Sequence, residues 1–260
     1  MRERGHSRRG LLRAGVAGAG SLILAGCDKI RGGNIMSTLF DVSESLTYET
    51  QSFLLSSGAL AREYGEADIS ADFKANGSTD PQGKAYRKMA QAGFKEYRLK
   101  VDGLVEHHLD LSLREIRAMP SRTQITRHDC VEGWSCIGKW TGVPLGHILE
   151  RAGVKEQARY VVFHCADTMD DGDTDGPTPF YGSIDLMAAR HPQTILAYDM
   201  NGETLTVPHG APLRVRVERQ LGYKMSKYIM RIELVESYTH FGNGKGGYWE
   251  DSGYDWYAGV

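Results

Sequence analysis

The chain has 260 residues, of which 41% are hydrophobic and 25% charged, with 31 basic against 33 acidic side chains. That is enough apolar material for one large domain or two small ones and excludes a disordered or solenoid chain. A net charge of -2 leaves no basic excess of the kind that nucleic acid requires.

The chain opens with Ser7-Arg8-Arg9-Gly10-Leu11-Leu12-Arg13, a twin-arginine pattern, followed by a Gly-rich apolar run over 14–24 that is too short for a membrane span. It reads as an export address, and this route carries folded proteins, as a cofactor inserted before translocation would require. Leu24-Ala25-Gly26-Cys27 matches a bacterial lipobox, which would leave a lipid on Cys27, and the following Asp28 resembles an inner-membrane retention signal. The expected organisation is a signal peptide over 1–26, a tether over 27–45 and one catalytic domain over 46–260. Loss of the leader removes five Arg and one Glu, so 31 basic and 33 acidic residues become 26 and 32, and the mature charge is -6.

Apolar positions Phe53, Leu54, Leu60 and Ala61 predict a helix within 50–64. Asn76-Gly77 and Pro81 mark a loop, and 86–92 reads as a short helix ended by Gly93. Residues 97–101 alternate as a strand, with Asp102-Gly103 as a hairpin turn; 111–119 reads as a helix closed by Pro120. Thr123, Ile125 and Thr126 then form a strand-like run that delivers Cys130 to a turn rich in Gly and Trp. Trp134 and Trp140 are expected to wall that thiol, and Gly142 and Pro144 to turn the chain into a helix over Leu145–Ala152, capped by Gly153. A thiolate in a dry aromatic pocket is a natural ligand for a soft metal.

The run Cys130-x-Glu132-x-Trp134-Ser135 followed by Trp140-x-Gly142-x-Pro144-Leu145 resembles the metal-ligand segment of the sulfite oxidase family of molybdopterin oxidoreductases. The resemblance implies that Cys130 binds molybdenum of a molybdenum-molybdopterin cofactor, in an α+β fold of mixed sheets with short helices. Relatives touch the pterin early in the chain with a Tyr-Glu pair; the nearest counterpart here is Arg62-Glu63, so Glu63 is the residue carried over.

Residues 159–165 are strongly β, and their end at Cys165 corresponds to a strand end at the cofactor. Asp171 opens a D-x-D-x-D-G loop, but Gly182 stands twelfth, where a calcium loop needs Glu, so the loop reads as solvated. Phe180-Tyr181-Gly182-Ser183-Ile184 follows, with Tyr181, Glu132 and Asp167 as substrate-side candidates, Tyr181 being the catalytic one. A strand over 194–198 and a hairpin at Asn201-Gly202 come next. His209-Gly210-Ala211-Pro212-Leu213-Arg214 resembles the family's H-G-x-P-x-R run, and Gly222-Tyr223-Lys224-Met225-Ser226-Lys227 its G-Y-K-x-x-K run. Both imply pterin contacts, from His209 and Arg214 and from Met225, Ser226 and Lys227. Arg offers forked donors and Lys a compact charge to a phosphate. The Gly-rich tail from Phe241 is expected to pack its aromatics back on the domain.

Of four cysteines, Cys136 and Cys165 are left as candidates for a disulfide. There is no haem or iron-sulfur spacing, so electrons are expected from a haem-bearing membrane subunit or a cytochrome. Around Cys130 the motif offers Arg127 among Asp129, Glu132 and Asp167, a balance that favours a neutral S-oxide or N-oxide over sulfite as the small-molecule substrate, with sulfite oxidation by the same cofactor as the alternative. A second alternative is a non-catalytic lipoprotein in which His128, Cys130, Cys136, His164 and Cys165 hold zinc, although H-x-C-x₅-C lacks the usual paired ligands. The expected location is the periplasm, on the inner membrane.

Overall fold

The computed structural model divides the chain into two units, Met1–Thr50 and Gln51–Val260, and describes Ser43, Leu46, Thr47, Thr50 and residues 58–169 and 178–260. The four described residues of the first unit are helical, with the Thr47 hydroxyl donating to the Ser43 carbonyl at 2.9 Å. The leader, the lipobox, most of the tether and the acidic loop at Asp171 lie outside the described residues. Among those described, no helix is long and apolar enough to cross a membrane.

Among the described residues the second unit carries ten strands in two sheets. The first contains β1 (Arg98–Gly103), β2 (Leu109–Ser112), β5 (Tyr160–Met169), β6 (Thr178–Asp185) and β10 (Ile229–Val235), in the order β2-β1-β10-β5-β6. The second runs β3 (Arg122–Asp129), β4 (Ser135–Pro144), β7 (Ile195–Met200) and β8 (Glu203–Thr204), with β9 (Arg214–Arg216) also paired to β7. All pairings are antiparallel except β1 with β10. Short helices α1 (Lys84–Gln91), α2 (Leu113–Arg117), α3 (Leu145–Ala152), α4 (Leu186–Ala189) and α5 (Tyr248–Asp251) complete an α+β architecture.

The core follows from period-two alternation in the strands and the helical stripe of α3. Leu99 and Val101 of β1, Val161 and Phe163 of β5 and Ile232 and Leu234 of β10 meet Val143 of β4 and Leu196 of β7 in one cluster. Leu145, Ile148, Leu149 and Ala152 close it from α3. Each fully buried Leu, Ile or Val side chain contributes about 1.5–3 kcal/mol.

Several expectations hold: α1 ends at Gln91, two residues before left-handed Gly93, α3 spans the predicted residues with left-handed Gly153 as its cap, and Asn201-Gly202 turns β7 into β8. Others are corrected. Of the helix expected within 50–64, residues 51–57 lie outside the described residues, while 58–64 are not helical and Glu63 bridges Thr126 of β3. Asp102 and Gly103 are still in β1, paired to Glu233 and Leu234, so the turn comes later. Gly103 is required there because a Cβ would collide with the Leu234 carbonyl. The turn expected after Cys130 gives way at Ser135 to β4, which runs on through Gly142 to Pro144, and the helix expected over 111–119 begins only at Leu113, where Ser112 caps it by accepting from the Glu115 N–H.

Candidate functional site

Alternation along β3 buries Gln124, Thr126 and His128 on one face, and Cys130 follows them at 8% exposure. The turn into β4 is held by Cys130 N–H to Trp134 O at 2.9 Å and Gly133 N–H to Cys130 O at 3.0 Å, with Gly133 at φ +86. Only Gly takes that conformation cheaply. Burial pushes the Cys130 thiol up. At the turn, Glu132 accepts from Trp134 Nε1 at 2.8 Å and stands 3.4 Å from Lys74, while Arg127 Nε is 2.9 Å from Asp129.

The two Trp side chains part company. Trp134 sits half-buried beside His128, ring centroids 5.6 Å apart. Trp140 is fully buried and carries two guanidiniums on its face, Arg216 at 4.4 Å and Arg214 at 5.0 Å, with Phe73 packed edge-on at 5.3 Å.

These two arginines have different fates. Arg216 lies against Glu218, with Nη2 2.7 Å from Oε2. Arg214 is equally buried but donates only Nη1, to the His209 carbonyl at 3.1 Å; Nε and Nη2 have no partner. Burial first, and then the neighbouring Arg216, pull Arg214 down to about 9. Lys227 Nζ donates to the carbonyls of Asn76 at 2.6 Å, Pro208 at 3.1 Å and Ser78, and burial with the nearby Arg214 lowers it to about 7. Tyr228 adds a bond to the same Ser78 carbonyl at 2.8 Å. Residues 76–78 are thereby strapped across the 222–227 run.

Between strap and run lies a cavity of about 360 Å³ whose polar lining is Asn76, Ser78, Asp167, Ser226 and Lys227, with Met225 beside them. Burial pushes Asp167 up to about 6. Cys165 lies next to Asp167, Ser226 and Lys227, its thiol raised by burial. So the structure brings Cys165, Met225, Ser226 and Lys227 together, with Arg214 close behind Lys227. Asn76 and Ser78 were missed. Their only sequence signal was the Asn76-Gly77 loop.

Three expected residues stand apart. Glu63 is exposed, paired with Arg122 and accepting from Gln193 at 3.0 Å; it bridges β3 at Thr126 and does not line the cavity. Tyr181 is turned to the opposite face of β6 from Phe180 and Gly182, because strand residues alternate; its hydroxyl donates to Asp251 at 2.6 Å and Phe241 O at 3.1 Å. It anchors the tail. His209 spends both ring nitrogens inside the protein, Nδ1 with the Thr206 hydroxyl and Nε2 with Phe73 O, each at 2.9 Å, and faces a separate groove of about 540 Å³. Its carbonyl, rather than its ring, serves Arg214.

The zinc alternative finds no geometry: among the described residues no three His, Cys, Asp or Glu converge on a metal position. Cys130, Cys136 and Cys165 are all free thiols, so the candidate disulfide is not formed.

The donor set fits an anionic group bearing many hydrogen-bonding positions. Asn76 Oδ1, Asp167 Oδ1 and Arg214 Nε and Nη2 are buried without partners, and such atoms each cost about 1–3 kcal/mol unless something meets them. A buried guanidinium lacking a carboxylate asks for an anion, and a pterin bearing a phosphate supplies both the anion and the ring acceptors and donors.

Comparison with known proteins agrees with that chemistry. A family model described as oxidoreductase molybdopterin binding domain matches residues 86–241. The chain is 36% identical, over 97% of its length and 88% of the relative's, to a putative protein-methionine-sulfoxide reductase subunit, YedZ1, of Azospira oryzae. It is 37% identical to the protein-methionine-sulfoxide reductase catalytic subunit MsrP of Xanthomonas axonopodis pv. citri, over 61% of this chain and 49% of that one, and so spans about half of that relative. Among solved structures, the sulfane dehydrogenase SoxCD of Paracoccus pantotrophus is similar over 55% of this chain and 39% of its own, with 22% identity and a TM-score of 0.47.

Proposed function

The chain belongs to the oxidoreductase molybdopterin binding domain family, and from that premise we propose that it is an exported molybdenum-molybdopterin enzyme that removes the oxygen atom from an S-oxide or N-oxide. The observation that carries the cofactor assignment is Arg214, a fully buried guanidinium with two unpartnered donor nitrogens and no carboxylate. Arg214 and Lys227 hold the phosphate end, Asn76, Asp167 and Ser226 meet polar ring positions, Met225 lines the same space and Cys165 stands behind Ser226. Cys130 is the thiolate that takes the metal. When bound, the group supplies a metal centre able to exchange two electrons and an oxygen atom. The chain's own work is to position that group, keep water away and set the charge around it.

Substrate choice follows from the charges at the Cys130 turn. Arg127 stands against Asp129 and Lys74 against Glu132, so both cations there already have a carboxylate partner, which supports a neutral oxide over the sulfite dianion. The names of the relatives point to the S-oxide of methionine. Electrons come from a haem-bearing membrane subunit or a cytochrome, and the twin-arginine leader with a lipid on Cys27 places the enzyme on the periplasmic face of the inner membrane.

Protein purified from its own host should carry close to one molybdenum and one pterin per chain. With a reduced dye as donor it should turn over methionine sulfoxide, and with ferricyanide as acceptor it should leave sulfite untouched. Zinc or no metal would overturn the cofactor assignment, and sulfite turnover without S-oxide turnover would overturn the direction.

A further inference from the structure

The stretch matched by the family model ends at residue 241, yet Trp249, beyond it, lines the same cavity as Asn76, Asp167, Ser226 and Lys227. We propose that Trp249 is a cofactor-binding residue, its indole forming, with Phe180 and Tyr223, the wall that receives a flat heteroaromatic ring system. The inference rests on the reading above that the bound group is a pterin.

The cavity's lining is of two unlike kinds. One carries the Lys227 ammonium and the unpartnered polar atoms of Asn76, Ser78, Asp167 and Ser226; the other is aromatic, made by Phe180, Tyr223 and Trp249. A polar, anionic group without a ring would have no use for the second kind, and an apolar ligand none for the first. A ring system that offers hydrogen-bonding edges and a π-face uses both.

The indole is also firmly seated. On α5, four successive side chains each have their own partner. Tyr248 is buried against Phe180, with centroids 5.7 Å apart. Trp249 packs edge-on to Tyr248 at 5.3 Å and lies 5.4 Å from Tyr254. Glu250 pairs with Lys224, both nearly inaccessible, and Lys224 belongs to the run that carries Ser226 and Lys227. Asp251 accepts from the Tyr181 hydroxyl and from the backbone N–H of Asn243 and Lys245, at 2.6, 2.9 and 3.0 Å. Behind them Trp256 Nε1 donates to Ser183 Oγ at 2.9 Å. A ring fixed before its ligand arrives loses little freedom on binding, so the contact contributes nearly its full value.

The test compares the cofactor-loaded wild type with Trp249→Leu and Trp249→Phe. Each is dialysed, and the released pterin is followed by its fluorescence after oxidation, with thermal midpoints by circular dichroism alongside. The Leu variant should lose pterin at least about tenfold faster than wild type and the Phe variant within about threefold, since Phe keeps an aromatic face. Equal release from the Leu variant and wild type overturns the inference, and so does equally fast release from both variants. A second measurement needs no change in packing beyond Trp249→Phe: free pterin titrated into the cofactor-free proteins should quench tryptophan emission clearly more in wild type than in the Phe variant. Identical quenching overturns the placement. Wild-type protein that carries no pterin when purified would instead overturn the functional reading.

Discussion

Arg216 donates from Nη1 to Nδ1 of His128 across 2.9 Å, and because a guanidinium cannot accept, the imidazole proton must reside on Nε2. The same guanidinium reaches both oxygens of Glu218, at 2.9 and 2.7 Å, and Gln124 Nε2 donates to Glu218 at 2.8 Å. The chain Gln124, Glu218, Arg216, His128 is therefore a continuous buried network under Trp140, ending two residues from Cys130. Burial, then Arg216, Arg214 and Lys227, hold His128 down to about 2, so the ring is neutral at working pH.

That network predicts a large penalty for breaking it on one side. Glu218→Leu leaves Arg216 buried with no counter-charge and should cost about 3–5 kcal/mol, read from urea unfolding of the cofactor-free protein. Adding Arg216→Met should recover much of the loss. A cost below 1 kcal/mol for the single change would show that the pair carries no such weight.

Arg214 should behave in the opposite way. It has no carboxylate partner to strand, only the neutral His209 carbonyl, so Arg214→Met should leave the urea midpoint of the cofactor-free protein nearly unchanged or raise it, as apolar replacement of a buried charge often does. Pterin content of the same variant purified from its host should fall to a small fraction of wild type. Full pterin content with a weakened fold would contradict the role assigned to Arg214.

Asp167 offers a test by pH. Its folded pKa, raised by burial from 3.8 to about 6, means that the folded state binds the proton more tightly than the unfolded one. Its protonation favours folding below about 4, and that contribution is lost as pH rises through 6. Asp167→Asn should therefore raise the melting temperature of the cofactor-free protein at pH 7.5, and the difference should vanish by about pH 4. An advantage that grows on acidification would have the wrong sign.

Cys130→Ser replaces a soft ligand by a hard one of nearly the same shape. Molybdenum measured by mass spectrometry and S-oxide reduction should both drop to near background, with the circular dichroism spectrum unchanged. Normal turnover would remove Cys130 from the metal.

Arg8→Lys together with Arg9→Lys should retain the protein in the cytoplasm, since the export address is read as an arginine pair. Cell fractionation with immunoblotting measures this. Unchanged delivery to the periplasm would mean that the leader is read by another route.

What the sequence showed well was what depends on neighbours in the chain. The end of β3 at Cys130, the span of α3 with its Gly153 cap and the Asn201-Gly202 turn are each set by a few adjacent residues. The grouping of Cys165, Met225, Ser226 and Lys227 came from the resemblance of two short runs to the family's pattern. Side-chain direction was harder. Tyr181 and Phe180 differ by one position on a strand, and that single step decides which faces the cavity. Asn76 and Ser78 hold their place through Lys227 and Tyr228, about 150 residues away, so no local pattern announces them. Glu63 was assigned by likeness to a short motif, and its pairing with Thr126 has no trace in its own neighbourhood.

The position of β10 bears on when the protein can acquire its cofactor. β10 lies between β1 and β5, and until it arrives the β1–β2 and β5–β6 hairpins share no ladder. Tyr97 beside β1 reaches Ile229 of β10 across 132 residues of sequence, a separation that makes closure slow and late. Ser226 and Lys227 immediately precede that strand, so they are synthesised well after the hairpin that carries Cys130. On the cofactor assignment proposed above, loading therefore waits for synthesis beyond Lys227: a shorter nascent chain has Cys130 but neither Ser226 nor Lys227.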